Sequence, residues 1–251
     1  MRVCMQKKIR LDQLVHERMP QYSRRQIQSW IMQGRVSVDG HIMNKTGLPV
    51  TDKSEIVVDV QEPKFVSRAG FKLEKALDYF GIDVNGLVVL DAGLSTGGFT
   101  DCLLSRGAMR VYGIDVGYGQ VHEKIRNDPR VVVMERTNLR EVRDVGQKID
   151  LVTLDLSFIS LLKVLDAVCA VLKEGGFLVA LIKPQFEAER HEVGRGGIIK
   201  NPAVHEAVIK RVIQGLQEYG FVVHGVIESP IEGAMGNKEF LVYCTIGKTQ
   251  L

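Results

Sequence analysis

The sequence predicts a small N-terminal α+β domain followed by a larger α/β domain with a doubly wound, mostly parallel sheet. Three observations carry this. From about residue 67 onward, apolar strand-like runs alternate with helix-like ones, the pattern of a parallel sheet covered on both faces. Before that point the elements are short and include a hairpin turn. The charge divides at nearly the same place: residues 1–75 hold 14 Lys+Arg against 8 Asp+Glu, about +6, and the remaining 176 carry 19 against 22, about −3. With 251 residues, 45% of them hydrophobic, the chain can bury one medium core and a second small one.

In the first domain, Leu11-Asp12-Gln13-Leu14-Val15 opens a short amphipathic segment that stops at Pro20. Ser23 is a natural N-cap for a second helix running through Ile27, Trp30 and Ile31 to Gly34. Arg35-Val36-Ser37-Val38 alternates, Asp39-Gly40 marks a hairpin turn, and residues 55–60 alternate again after the loop of Gly47 and Pro49. This ααβ unit, 8–60, is too small to carry an enzyme site. Arg24 and Arg25 fall in the first turn of the second helix, where free N–H groups and two guanidinium forks converge on an anion-binding face. Arg10, Arg35 and Lys45 extend that face; taken singly, each also reads as an ordinary solvated charge. The pattern breaks at Gln61-Glu62-Pro63-Lys64, so 61–66 is expected to be a linker.

The second domain, 67–251, starts with a helix through Phe71, Leu73, Ala76, Leu77 and Phe80. Strands are expected near 87–92, 110–116, 131–135, 150–158 and 175–183, with a helix over 161–173 between the last two. Asn201-Pro202 is a matched cap and first-turn proline for a further helix, and residues 221–227 and 240–246 supply two closing strands. The polar, glycine-rich stretch 187–197 reads as a mobile lid or loop. The first strand meets its helix through Asp91-Ala92-Gly93-Leu94-Ser95-Thr96-Gly97-Gly98-Phe99-Thr100-Asp101. This turn lacks the G-x-G-x-x-G spacing that holds a pyrophosphate. Its Asp91, and Asp115 at the end of the next strand, would repel phosphates but suit a cofactor with ribose hydroxyls and a positive centre. S-adenosylmethionine fits that description. Lys72, Asp155, Lys183 and Glu239 mark ends of different elements, and two lysines with two carboxylates balance one another either in one cleft or as salt bridges at the sheet rim.

Two resemblances sharpen this reading. Arg10-Leu11-Asp12, Ser23-Arg24-Arg25 and Gly34-Arg35-Val36-Ser37-Val38-Asp39-Gly40 stand where the S4 RNA-binding domain places its signature. Along the larger domain, Ser67-Arg68-Ala69-Gly70-Phe71-Lys72-Leu73, the 91–101 turn, Gly113-Ile114-Asp115-Val116-Gly117-Tyr118-Gly119-Gln120, Glu135-Arg136-Thr137-Asn138, the stretches 154–160 and 181–187, and Asn237-Lys238-Glu239-Phe240-Leu241-Val242-Tyr243 follow in order. That series resembles the TlyA family, S4-containing rRNA 2′-O-methyltransferases with an FtsJ-like catalytic domain, some of them named haemolysins. The resemblance implies a class I, Rossmann-like methyltransferase fold, S-adenosylmethionine as cofactor, and a Lys-Asp-Lys-Glu tetrad at Lys72, Asp155, Lys183 and Glu239. It further implies ribosomal RNA or ribosomal subunits as partners and a cytidine ribose 2′-hydroxyl as target.

Within that frame Lys183 is the expected general base; burial and Lys72 favour its neutral form, Asp155 and Glu239 its charged form. If it stays charged, it stabilises the developing alkoxide and a carboxylate or water takes the proton. For the cofactor, Gly93, Gly97 and Gly98 allow close backbone approach. Ser95 and Thr96 donate to the methionine carboxylate, Asp115 accepts from ribose hydroxyls, and Asn138 touches the adenine edge. Phe99 reads as helix packing, and Leu94 stands where the family's loop is expected to hold a small residue. Arg68, Arg190, His191 and Arg195 are candidates to hold RNA near the cleft.

Cys4, Cys102, Cys169 and Cys244 form no C-x-x-C pair, so reduced thiols in the cytoplasm and no metal centre are expected. No apolar run approaches the ~18 residues of a membrane span. Competing readings are a binding protein whose methyltransferase fold has lost activity, against which the intact tetrad argues, and a membrane-active cytolysin, for which no long amphipathic basic segment speaks. A pseudouridine synthase is echoed only by Arg10-Leu11-Asp12, inside the small domain, and would need no sulfonium cofactor.

Overall fold

The computed structural model divides into two compact units, Met1–Pro63 and Lys64–Leu251. It describes residues 8–59, 63–233 and 236–247, so Cys4 and the linker residues Gln61 and Glu62 lie outside the described residues.

The first unit contains β1 (Lys8–Arg10), α1 (Leu11–Arg18), α2 (Arg24–Met32), β2 (Val36–Val38), β3 (His41–Met43), β4 (Pro49–Thr51) and β5 (Ile56–Val58). Ser23 caps α2 through a full capping box: its side chain accepts from the Gln26 N–H while the Gln26 side chain accepts from the Ser23 N–H. Strand β2 pairs antiparallel with β3 across the Asp39-Gly40 turn and with β5 on its other side. Leu11, Leu14, Val15, Ile27, Ile31, Val36, Val38 and Val50 close the core between helices and strands. The pairing of β1 with β4 was not expected, because three residues are too few to show a period.

The second unit contains α3 (Ala69–Phe80), β6 (Val88–Ala92), α4 (Gly98–Ser105), β7 (Arg110–Ile114), α5 (Glu123–Arg126), β8 (Val131–Met134), β9 (Ile149–Leu154), α6 (Leu165–Val171), β10 (Leu172–Ile182), α7 (Pro184–Glu187), α8 (Pro202–Glu218), β11 (Phe221–Glu228) and β12 (Phe240–Ile246). The sheet order is β11-β12-β10-β9-β6-β7-β8. Strands β10 through β8 run parallel, and β12 is antiparallel to both of its neighbours.

Successive strand residues feed opposite faces. Val89, Val111, Leu151 and Val179 pack with Leu73 and Leu77 of α3 and Phe99 and Leu103 of α4. Leu90, Val152 and Ala180 pack with Leu165 and Val168 of α6 and Val208, Val212 and Leu216 of α8. Each such fully buried leucine or valine contributes roughly 1.5–3 kcal/mol, so the doubly wound arrangement follows from strands that are apolar on both sides.

Some boundaries differ from expectation. The strand expected over 150–158 ends at Leu154, and the chain turns through Phe158 at φ 65°. Phe65, expected in the linker, is 1% exposed in the second core, and the Val66 N–H donates to Asp101. Within the 187–197 stretch, Glu192 pairs with Arg211 of α8 at 2.8 Å. Among the described residues no helix is long and apolar enough to cross a membrane, and no cluster of three or more His, Cys, Asp or Glu could hold a metal ion. Burial pushes the Cys102 and Cys244 thiols up to about 12, which makes them inert core residues.

Candidate active site

Strand register assembles the site. Ala92 pairs with Leu154, so Gly93 and Asp155 leave the sheet side by side. The approach is so close that a Cβ on Gly93 would lie 2.4 Å from the Asp155 carbonyl oxygen, and Gly93 has φ 87°. Ile182 pairs with Phe240, which sets Lys183 and Glu239 together at the same edge, because antiparallel β12 begins where parallel β10 ends. Lys72, in the first turns of α3, completes the group.

The four charges form two short pairs. Lys72 Nζ lies 2.6 Å from Glu239 Oε2, and Lys183 Nζ lies 2.6 Å from Asp155 Oδ1. Lys183 also donates to Ser157 Oγ at 3.0 Å. Lys72, Lys183 and Glu239 are buried, and all four residues line one cavity of about 420 Å³ with Ser67, Arg68 and Gln185. The salt-bridge reading and the cleft reading of these residues thus hold together: the pairs are the floor of the cleft.

A second cavity, also about 420 Å³, adjoins the first and shares Gly93, Ser95, Asp155, Ser157 and Phe158 with it. Its walls are apolar at Ile114, Val116, Leu139, Ile159 and Val164, and polar at Asp115, Gln120 and Asn138. Asp115 accepts from the Ser95 N–H at 2.7 Å on one oxygen and from the Gly117 N–H at 2.6 Å on the other. This holds the carboxylate rigidly while each oxygen keeps a lone pair for a diol. Gly98 and Phe99, whose first-turn N–H groups lack intrahelical acceptors, line the first cavity beside Ser95 and Thr96. An apolar slot with a fixed carboxylate, next to helix N–H donors for a second carboxylate, fits S-adenosylmethionine.

Two residues expected to touch the cofactor line neither cavity. Asp91 is 1% exposed and accepts from Thr100 Oγ1 at 2.6 Å and Thr153 Oγ1 at 2.9 Å, joining β6 to α4 and β9. Burial pushes its carboxyl up to about 6, partly offset by those hydroxyls. Gly97, at φ 96°, faces Ile125, where a Cβ would lie 2.8 Å from its Cγ1. Both shape the loop from behind. Asn138 lines the second cavity but spends its Oδ1 on the Arg140 N–H at 3.2 Å. Leu94, larger than expected, fits because it lies over Gly113, where a Cβ would come within 2.7 Å. Phe99 is 3% exposed in the core, as its packing role requires.

The sequence reading missed Phe158 and Phe186. Phe158 is 89% exposed, lines both cavities and lies 5.1 Å from the Phe186 ring. Phenylalanine after a strand usually signals core, so the only available hint was the motif surrounding it.

In the first unit, Asp12 gathers the basic residues. It accepts from Arg10 Nε and Nη2 at 3.0 Å each and from the Gln28 amide at 2.8 Å, and lies 3.6 Å from Arg24. Arg10 and Arg24 are therefore partly committed inside the unit. Arg25, Arg35 and Lys45 are exposed, and no ion pair to them occurs among the described residues. Arg68 is exposed at the first cavity, Arg190 is exposed, His191 lies 3.3 Å from Glu189, and the Arg195 side chain lies outside the described ones.

A model of the FtsJ-like methyltransferase family matches residues 65–245, and a model of the S4 domain matches residues 9–56. The chain belongs to the S4-containing, TlyA-type FtsJ-like methyltransferase family. It is 42% identical over 242 residues to the 16S/23S rRNA (cytidine-2′-O)-methyltransferase TlyA of Mycobacterium tuberculosis, covering 95% of this chain and 90% of that protein. Hemolysin A of Brachyspira hyodysenteriae is likewise 42% identical, over 95% of this chain and all of that one. A solved structure from Streptococcus thermophilus, provisionally named a hemolysin, superposes with a TM-score of 0.73 at 39% identity, over 96% of this chain and 89% of the other. This methyltransferase therefore uses S-adenosylmethionine, the cofactor of its fold and family.

Proposed function

We propose that this methyltransferase modifies a ribose 2′-hydroxyl of ribosomal RNA, at a cytidine, and that Lys72, Asp155, Lys183 and Glu239 carry the reaction. The observation that supports this most is that the cavity lined by the four charges shares Gly93, Ser95, Asp155, Ser157 and Phe158 with the second, which holds the fixed Asp115 carboxylate. The name of the mycobacterial relative gives the same chemistry for that protein.

When bound, S-adenosylmethionine would supply an electrophilic methyl group for the acceptor oxygen, with a neutral thioether as leaving group. The chain's part is to hold the hydroxyl in line and to manage its proton. Lys183, paired with Asp155 and donating to Ser157, faces the acceptor oxygen as a charge that stabilises the developing alkoxide. The proton leaves to a carboxylate of the tetrad or to water. Lys72 holds Glu239 in place through their 2.6 Å pair. Gly98 and Phe99 N–H groups with Ser95 and Thr96 take the methionine carboxylate, and Asp115 takes the ribose diol. The Phe158 and Phe186 faces suit a base drawn out of its stack. Arg25, Arg35 and Lys45, with Arg68 at the cavity, hold phosphates, and the expected setting is the cytoplasm with ribosomal subunits as substrate.

The test is transfer of labelled methyl from S-adenosylmethionine to purified small subunits, large subunits and bare rRNA, with nuclease mapping. The expected result is label at a ribose 2′-oxygen, reduced by about a hundred- to a thousandfold in Lys183→Ala with cofactor affinity kept. Tight cofactor and RNA binding without any transfer would replace this reading with that of a binding protein.

A further inference from the structure

Glu187 lies four residues beyond Lys183, at the end of α7, and its carboxylate is divided between two donors. Oε2 accepts from Ser160 Oγ at 2.6 Å, and Oε1 accepts from the Leu161 N–H at 2.7 Å. Ser160 and Leu161 close the loop that Asp155 opens. One carboxylate therefore ties the segment following Lys183 to the segment following Asp155, and the two residues it brackets are themselves paired at 2.6 Å.

The sheet alone does not set this geometry. The register between β9 and β10 runs only as far as Leu154 with Ala180. Beyond it β10 stays paired with β12 to Ile182 and the Asp155 N–H still donates to the Ala92 carbonyl, but no backbone pairing joins the segment of Asp155 to that of Lys183. The loop between them holds Phe158 at φ 65°, a conformation a phenylalanine adopts only when its surroundings impose it. Besides the Lys183–Asp155 pair, the two segments meet through the Lys183 bond to Ser157, the Phe158–Phe186 rings at 5.1 Å, and the Glu187 bridge. The bridge is the one farthest along the chain from the paired charges. Beneath Lys183 a small void is lined by Leu154, Leu156, Ile159, Leu161, Leu181 and Glu187. Burial there pushes the Glu187 carboxyl upward, and the two donors offset it.

We propose that Glu187 is the positioning residue for the Lys183–Asp155 pair: without touching the acceptor, it sets how the two loops, and hence the two charges, face the first cavity. This rests on the proposed role of Lys183 but makes a claim about geometry that can be read without turnover. What matters at this position is side-chain length, since both oxygens must reach different donors. Glutamine keeps the reach, accepting from Leu161 and donating to Ser160; aspartate keeps the charge but falls one methylene short.

The experiment compares Glu187→Gln and Glu187→Asp in the full chain, well below the unfolding midpoint of each. Three quantities are measured: single-turnover methyl transfer, S-adenosylmethionine affinity by calorimetry, and the Lys183 Nζ resonance in 15N-lysine protein, assigned with Lys183→Arg. Glu187→Asp is expected to slow transfer about tenfold or more with cofactor affinity kept, and to shift the Lys183 resonance. Glu187→Gln is expected to stay within about threefold of the parent rate and leave that resonance in place. A loss in Glu187→Asp that merely follows its unfolded fraction, or an unmoved Lys183 resonance, would overturn the proposal. If the parent transfers no methyl to rRNA, the functional reading fails instead, and the Lys183 resonance alone decides: a shift in Glu187→Asp supports positioning, and no shift refutes it.

Discussion

Each unit buries an aspartate, and the two are pushed in opposite directions. Asp12 in the first unit is met by guanidinium groups, with Arg10 foremost, and its carboxyl falls to about 2. Asp91 in the second unit is met only by threonine hydroxyls, with the Asp155 charge nearby, and its carboxyl rises to about 6. Burial penalises the charged form at both sites; what differs is whether the partner carries a positive charge. The first unit thus sets two largely exposed arginines against one buried carboxylate. The second keeps its lysines for the cleft and lets a core carboxylate stay costly.

The opposite shifts give opposite pH slopes, which offers the largest test of the contrast. Asp91 titrates near 3.9 when unfolded and near 6 when folded, so its contribution to stability is full below about pH 4 and is lost as pH rises through 6. Unfolding free energies of the parent and Asp91→Asn, measured in urea from pH 4 to 7, should therefore diverge by about 2–3 kcal/mol, the parent losing ground as pH rises. A constant difference would show that Asp91 is not the strained group. Asp12 runs the other way: its contribution is present above about pH 4 and lost as pH falls toward 2. At pH 7, Asp12→Asn should destabilise the first unit by about 2 kcal/mol through the loss of charged hydrogen bonds, and the penalty should shrink as acid titrates the parent.

The smallest effects separate the arginines. Arg24 lies 3.6 Å from Asp12, whereas Arg25 has no such partner among the described residues. Arg24→Ala should cost a few tenths of a kcal/mol of stability, within the roughly 0–1 kcal/mol of exposed pairs, and Arg25→Ala should cost none. Both should weaken RNA binding and flatten its logarithmic salt dependence by roughly 0.7–0.9 for each phosphate no longer neutralised. Unchanged RNA affinity in the double variant would remove this face from substrate binding.

Much of the fold is legible in the chain itself. The capping box at Ser23, the Asp39-Gly40 hairpin and the alternating strands of the larger domain are local signals, and each element forms close to where it is expected. Lys72, Asp155, Lys183 and Glu239 stand out as charges at the ends of elements, and all four line one cavity. Asp91 is misplaced by sequence reasoning because a carboxylate beside a glycine turn looks the same whether it faces a ligand or two threonines. Phe158 escapes it because exposure is not a property of a residue type.

By itself, then, the sequence determined the order and kind of the elements, the two-unit organisation and the chemistry available at the strand ends, because propensity, periodicity and capping act over a few residues. Tertiary structure decided which charges meet. The register of Ala92 with Leu154 and of Ile182 with Phe240 joins residues far apart in the chain and brings Gly93 beside Asp155 and Lys183 beside Glu239. The packing of α3 and of the loops then sets Lys72 against Glu239 and Lys183 against Asp155, while Thr100 and Thr153 keep Asp91 behind the glycine loop. Pairing across a sheet depends on which strands become neighbours, a long-range outcome of packing both faces of one sheet that no local pattern encodes.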